Sequence, residues 1–293
     1  MLVVMKAVIP AAGWGVRFLP LTKEQPKEML PVIDKPVIQY VVEEAVKAGI
    51  QDIIIITGRH KRTIEDHFDR SFELEALLQN GNRQEYLQKI KDICNLANLH
   101  FIRQKEQKGL GDAVYHARYH VGDEPFAVML GDTIHVSDVP VVKQLMDVHA
   151  ATGKSVIAAE RVPGPKVKDY GVLDARKIGD RLYDIDDLVE KPKPEDAPSD
   201  LCIAGTYVLT PGIFECIERT APGYNGEVQL TDALRLLKEK EGMLAWEFEG
   251  RRYDIGDIPG WLNAQFELGL RHPIYGPKMR EHIRTLYQNE KPI

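Results

Sequence analysis

Residues 3–15 read VVMKAVIPAAGWG, a largely β-branched run that stops at a proline and opens into two alanines and two closely spaced glycines. Val3 to Ile9 has the length and composition of a buried strand, and the punctuation after it marks the start of a loop. The run is apolar, but it lacks a basic leader, carries Lys6 in its middle and runs straight into Pro10, so it does not read as a secretory signal. No other stretch nears the roughly 18 consecutive apolar residues of a membrane span. The strongest run is Ile53 to Ile56.

Outward from this strand the text alternates. Val37 to Ala48 is helical, Asp52 to Thr57 extended, Thr63 to Phe68 helical, Leu99 to Arg103 extended and Gly111 to Tyr119 helical. Phe126 to Leu130, Val139 to Ala150 and Ser155 to Ala159 continue the rhythm as strand, helix and strand. This predicts an α/β fold with a mostly parallel sheet covered by helices on both faces. Right-handed crossovers place the loops after Ile9, Thr57, Arg103 and Leu130 along one carboxyl edge, where such sheets bind ligands. Tyr170 to Val172, Leu182 to Val189 and Leu201 to Leu209 follow as strands without helices between them, which predicts antiparallel additions and a mixed sheet. Phe72 to Leu96 reads as a helical insertion, either a solvated hairpin or a subunit contact. Trp261 to Tyr287 is helical, interrupted by Pro273 and Pro277.

The chain has 293 residues, 44% of them hydrophobic, with 44 acids against 38 bases and a net charge of -6. That is ordinary globular composition, large enough for a core without disulfide staples and poorly suited to a general nucleic-acid surface. Three cysteines, with no CxxC pair, indicate neither a disulfide framework nor a cysteine-rich zinc module. A cytoplasmic protein with no membrane or nucleic-acid partner is expected.

The segment PAAGWGVRFLPLTKEQPKEMLPVIDKP, residues 10–36, carries five prolines and no helical period. So long a connection inside a compact domain is usually functional. Gly13 and Gly15 permit a backbone that points successive N–H groups at phosphate oxygens. Residues 1–35 hold five bases, Lys6, Arg17, Lys23, Lys27 and Lys35, against three acids, so a local anion site is implied inside a net negative chain. A dinucleotide fingerprint fails because Phe18 stands where its third glycine belongs, and no GK[ST] closes a Walker loop.

The ordered motifs AAGWGVRFLP, PKEMLPVIDKPVIQYVVEEAVKAGI, FELE, RQKEQKGLGDAV, PFAVMLGD, YGV, VEKP, AGTYVLTP and GEVQLTDAL span nearly the whole chain. In them the sequence resembles the sugar-1-phosphate nucleotidylyltransferases, and within these the bacterial-type UTP–glucose-1-phosphate uridylyltransferases. The resemblance implies a Rossmann-like three-layer nucleotidyltransferase fold over residues 1–258, with residues 259–293 as a C-terminal helical segment packed on the same domain. It implies conversion of UTP and glucose 1-phosphate to UDP-glucose and pyrophosphate, with Mg2+, in a homo-oligomer. Arg17 is then assigned to the triphosphate and Lys27 to the leaving pyrophosphate, both as exposed loop cations. Asp132 and Asp254 are the metal carboxylates, although Asp254, like Asp257, also suits the cap of a helix starting near Pro259. Ala11, Ala12, Gly13, Gly15, Gln104 and Gly109 serve the nucleotide; Gly171, Glu190 and Lys191 serve the sugar phosphate.

Three positions depart from the family pattern: Val16 where a hydroxyl residue is usual, Thr133 where a second Asp follows Asp132, and Thr206 where Arg often stands. They bear on substrate breadth more than on reaction type. Trp14 can stack on a base or shield the loop. His116 and His120 have zinc spacing but no HExxH glutamate, and Asp184, Asp186 and Asp187 lack the glycine and terminal glutamate of a calcium loop. Two other functions fit parts of the pattern. A thymidylyltransferase or broader sugar-1-phosphate nucleotidylyltransferase shares the motifs, since Gln104 suits either pyrimidine. A catalytically silent nucleotide-sugar-binding regulator is the third, and its mark would be loss of Arg17 or Lys27, both of which are present.

Overall fold

The computed structural model describes residues 4–289. Val3, at the start of the predicted first strand, and the last four residues of the C-terminal segment lie outside the described residues. Thirteen strands occur among the described residues: β1 (Lys6–Pro10), β2 (Pro31–Val32), β3 (Lys35–Pro36), β4 (Asp52–Thr57), β5 (Asn98–Arg103), β6 (Phe126–Met129), β7 (Thr133–Val136), β8 (Ser155–Arg161), β9 (Gly171–Lys177), β10 (Leu182–Glu190), β11 (Leu201–Leu209), β12 (Met243–Glu247) and β13 (Arg251–Asp254). The helices are α1 (Val37–Lys47), α2 (Arg62–Phe68), α3 (Phe72–Asn80), α4 (Gln84–Cys94), α5 (Leu110–Tyr115), α6 (Arg118–Val121), α7 (Val141–Thr152), α8 (Gly212–Arg219), α9 (Leu230–Glu241), α10 (Ile258–Arg271) and α11 (Gly276–Asn289).

Nine strands form one sheet in the order β5-β4-β1-β6-β11-β8-β12-β10-β9. Strands β5, β4, β1 and β6 are parallel neighbours, as are β8 and β12, while β10 and β11 run against the rest. The sheet is mixed, with antiparallel pairing where the strands after residue 170 were expected to add it. The run Ile53 to Ile56 is continuously apolar because both of its faces are covered. Ile54 and Ile56 pack with Val114 of α5, Ile213 of α8 and Leu234 of α9. Ile53 and Ile55 pack with Val41 of α1 and Leu145 of α7. Each such side chain, moved fully out of water, contributes about 1.5–3 kcal/mol.

The structure revises several boundaries. The helix expected over Gly111 to Tyr119 is two, α5 and α6, and α8, α9, β12 and β13 have no counterpart in the periodicity reading. Pro273 separates α10 from α11 as expected, but Pro277 falls in the first turn of α11, where a missing N–H costs nothing. The insertion 72–96 is the helical hairpin α3–α4. The long first loop is not structureless. It holds 3-10 turns at Val16–Phe18 and Lys27–Met29 and the β2–β3 pair. Phe18, Leu30 and Val32 tie it to Ile134 of β7, Tyr253 of β13 and Ala264 of α10.

A buried ion pair fastens the second turn of this loop: Lys61 Nζ donates to Glu28 Oε2 at 2.7 Å, with side chains 7% and 1% exposed. Lys61→Ala leaves that carboxylate buried and unpaired, and is expected to cost about 3–5 kcal/mol in urea unfolding. The double variant Lys61→Met/Glu28→Gln should recover much of the loss; an unchanged urea midpoint in the single variant would remove the pair as an anchor.

Candidate active site

The first loop is shaped by glycine geometry. Gly15 has φ +67°, and a Cβ there would lie 3.3 Å from both Lys27 Cβ and Thr22 Cγ2, so a side chain would be strained and crowded. The Thr22 hydroxyl donates to Gly15 O at 2.7 Å and closes the turn. In the following 3-10 turn Phe18 points into the core and Arg17 stays exposed. In the next, Glu28 is buried on Lys61 and Lys27 faces inward along the carboxyl edge.

Asp132 follows the end of β6. Gly131 permits this by its close approach to Pro10, whose carbonyl oxygen would lie 3.1 Å from an added Cβ. Asp132 Oδ2 accepts from Lys27 Nζ at 2.5 Å. Burial works against both charges, but the pair prevails: Lys27 is held above the ordinary lysine value by Asp132 and Glu28, and Asp132 below the ordinary carboxylate value by Lys27. Lys27 is therefore no free loop cation, contrary to the sequence expectation.

The antiparallel β7–β13 ribbon brings the second carboxylate alongside. Asp254 lies opposite Thr133, and the Ile255 N–H donates to Asp132 O at 2.9 Å. Burial and the like charge of Asp132 push the Asp254 carboxyl above its ordinary value, against relief from Arg252. Tyr170 Oη donates to Asp254 Oδ2 at 3.0 Å and the Gly256 N–H to Oδ1 at 2.9 Å. The helix cap is Asp257, which accepts from the Gly260 N–H, so Asp254 is left to this site. Two repelling carboxylates of hard oxygen donors fit a divalent cation. Among the described residues no group of three or more His, Cys, Asp or Glu could hold a metal, which leaves the ribbon pair in need of ligands from a substrate.

On the opposite wall Gly171 and Glu190 are cross-strand partners in β9 and β10. A Cβ at Gly171 would meet Ile203 Cδ1 at 2.8 Å. Glu190 Oε2 accepts from the Thr231 hydroxyl at 2.6 Å, and Oε1 lies 3.2 Å from Lys191 Nζ. A cleft of about 380 Å³ thus gathers eight of the expected residues: Gly15, Arg17, Lys27, Asp132, Gly171, Glu190, Lys191 and Asp254. Among the described residues no carboxylate pairs with Arg17.

The remaining expected residues are not among those that line this cleft. Ala12 and Gly13 line a smaller cavity with Trp14, Gly58, His60 and Gln107. Ala11 and Gln104 are buried. The close approach that Gly109 allows is to Val228, whose carbonyl oxygen would lie 2.6 Å from an added Cβ. Trp14 is 58% exposed, its ring 5.9 Å from that of His60. Of the departures, Val16 is exposed and Thr133 and Thr206 are buried.

Sequence reading missed Tyr170, Thr231, Gln229 and Arg252, which also line the cleft. The first three stood within quoted motifs without a role. Arg252 is paired with Glu160 at 2.5 Å and lies 4.4 Å from the Tyr170 ring, a contact that periodicity cannot register. His116 Nδ1 is 2.8 Å from Asp112 O, and His120 packs on His100. Asp184 and Asp187 pair with Arg176 and Arg235.

A sheet edge where cations face paired carboxylates defines a class, and the chain belongs to the nucleotidyl transferase family, whose model matches residues 6–269. Its relatives narrow this. UTP–glucose-1-phosphate uridylyltransferase 2 of Staphylococcus saprophyticus is 50% identical over 286 residues, 98% of this chain and 99% of that protein. UTP–glucose-1-phosphate uridylyltransferase YngB of Bacillus subtilis is 50% identical over 287 residues, 98% and 97% of the two chains. Among solved structures, a UTP-bound UGPase from Acinetobacter baumannii superposes with a TM-score of 0.90 at 36% identity, covering 97% of this chain and 99% of that one. A UDP-glucose pyrophosphorylase complexed with UDP-glucose gives 0.84 at 42%, covering 92% and 100%.

The carboxylate repulsion has a thermodynamic sign. A folded-state pKa raised above the unfolded value means that Asp254 destabilises the fold progressively as pH rises from acid to neutral. Asp254→Asn is therefore expected to raise the melting temperature of the ligand-free protein at neutral pH, with the gain shrinking in acid. A lower melting temperature at neutral pH would refute the account.

Proposed function

We infer that the chain is a UTP–glucose-1-phosphate uridylyltransferase, an enzyme that moves UMP from UTP to glucose 1-phosphate and yields UDP-glucose and pyrophosphate. The observation that carries this is the single cleft in which Arg17 and Lys27 face Asp132 and Asp254, with Glu190 and Lys191 on the far wall. A phosphate oxygen of the sugar attacks the α-phosphorus of UTP, the bond from that phosphorus to the bridging oxygen breaks, and pyrophosphate leaves. The attacking group has a second pKa of about 6 and is mostly a dianion at neutral pH, so no general base is needed.

In this reading Arg17 forks onto triphosphate oxygens, which suits a guanidinium without a carboxylate partner. Lys27 exchanges Asp132 for the departing pyrophosphate. Lys191 holds the sugar phosphate and Glu190, oriented by Thr231, accepts from glucose hydroxyls. Gly171 lets the sugar approach the backbone, and Gly15 admits the phosphates. Ala11, Ala12 and Gly13 supply backbone contacts to the base, which Gln104 reads, while Gly109 shapes that loop. Asp132 and Asp254 would hold Mg2+, which when bound adds positive charge to the triphosphate.

The same reading makes residues 1–258 the catalytic domain and 259–293 a helical segment packed on it. It also makes the enzyme cytoplasmic and homo-oligomeric. The cysteines are free, no helix among the described residues is long and apolar enough to cross a membrane, and Leu262, Phe266 and Ile274 offer exposed apolar surface of the kind subunits bury.

Pyrophosphate release measured with four nucleoside triphosphates and several hexose 1-phosphates should be fastest with UTP and glucose 1-phosphate; equal rates with dTTP would favour a broader pyrimidine specificity. Arg17→Ala is expected to lower kcat about 10²–10³-fold with an unchanged melting temperature. Lys27→Ala should lose comparable activity and also stability, since it leaves Asp132 and Asp254 without their ammonium. Near-parental turnover in either would sink its assignment. Asp132→Asn should weaken Mn2+ binding in the presence of UTP, read by calorimetry, and unaltered binding would exclude it as a ligand.

A further inference from the structure

Gln104 opens the loop after β5, at the carboxyl edge, where its backbone N–H donates to Thr57 O at 2.9 Å. The residue is only 3% exposed. Its amide nitrogen is fully engaged: Nε2 donates to Asp112 Oδ2 at 2.7 Å and to Gly109 O at 3.2 Å. A carboxylate and a carbonyl only accept, so turning the amide over would set its oxygen against two acceptors. Oε1, by contrast, meets no donor among the described residues. It is not sealed off either, because among the described residues the buried side-chain polar atom lacking a partner is His135 Nε2. Of the two side-chain polar atoms of Gln104, the one left without a partner among the described residues is therefore an acceptor.

The pinning group is itself held firmly. Asp112 stands in the first turn of α5, whose start is clamped to the neighbouring segment. The Gly111 N–H donates to Val228 O at 2.9 Å and the Val228 N–H to Lys108 O at 2.7 Å. Gly109, at φ +111°, fits this clamp with no room for a Cβ. The same loop reaches the first one through Gln107, whose Nε2 donates to Ala12 O at 3.4 Å. The amide orientation is thus preset by the fold before any nucleotide arrives.

We propose that Asp112 is a specificity-determining positioning residue: by holding the amide nitrogen of Gln104, it leaves only the amide oxygen to meet a base and so selects pyrimidines with a ring N–H. Uracil and thymine carry that donor at N3. Cytosine presents a lone pair there, and two facing acceptors repel with no hydrogen bond to offset the lost water. Asp112 does this without touching nucleotide. The proposal rests on the reading of Gln104 as the residue that meets the base.

Steady-state kinetics with UTP and CTP, at saturating glucose 1-phosphate, test it in Asp112→Asn and Gln104→Ala beside the parent. Asparagine offers a donor as well as an acceptor, so the Gln104 amide can invert. In Asp112→Asn the preference for UTP over CTP in kcat/KM should fall about ten-fold or more, carried by KM rather than kcat, with the KM for glucose 1-phosphate unmoved. An unchanged preference, or equal losses on both nucleotides with a lower melting temperature, would overturn the positioning role. Gln104→Ala separates the two readings. If it leaves the KM for UTP unchanged, Gln104 does not meet the base and both readings fall. If it raises that KM while Asp112→Asn keeps its preference, base reading by Gln104 stands and the part given to Asp112 fails.

Discussion

Two carboxylates, Asp132 and Asp254, stand at the end of the β7–β13 ribbon, and the ammonium of Lys27 is what lets the fold tolerate them. Like charges in a largely buried place would otherwise push one carboxyl toward its neutral form, and Asp254 does carry that shift. The rest of the site is arranged around this balance. Glu28 and Lys61 fix the turn that delivers Lys27, and Tyr170 and Arg252 brace Asp254 from the other side. A site that holds negative charge at such cost is suited to gather a cation and to trade one positive partner for another as polyanionic substrates enter.

Much of the fold was legible in the sequence because burial on both faces leaves a mark. Ile53 to Ile56 could only be an inner strand, and helices such as α1 alternated with strands at the spacing of parallel crossovers. The ribbon that builds the site was not legible. Thr133 to Val136 and Arg251 to Asp254 are four residues each, too short for a periodicity, and their pairing spans more than a hundred residues of chain. Helices α8 and α9 went unread, although Leu230, Leu234 and Leu237 lie on one buried face.

The site was legible to the extent that its residues sit in distinctive loops. Gly15, Arg17 and Lys27 stand out by glycine, proline and charge, and the structure gathers them at one cleft with Asp132, Asp254, Glu190 and Lys191. Partnership was the hidden part. Lys27 was expected as a free loop cation and is an ion-pair member; Gly109 was expected to serve the nucleotide, and the close approach it allows is to Val228. Arg252 showed no signal, because its role depends on Glu160 and Tyr170, distant in sequence.

The four consecutive isoleucines of β4 have a subtler consequence. Since both faces of that strand are apolar and identical, a one-residue slip against β1 or β5 would bury the same side chains and cost little in hydrophobic energy. Alignment must then come from polar groups at the strand ends. His100 Nε2 lies 2.8 Å from Asp52 Oδ1 at one end, and the Gln104 N–H donates to Thr57 O at the other. These small contacts act as the index marks of the sheet. A shift there would displace the loops that leave β4 and β5 along the carboxyl edge, including the one that carries Gln104.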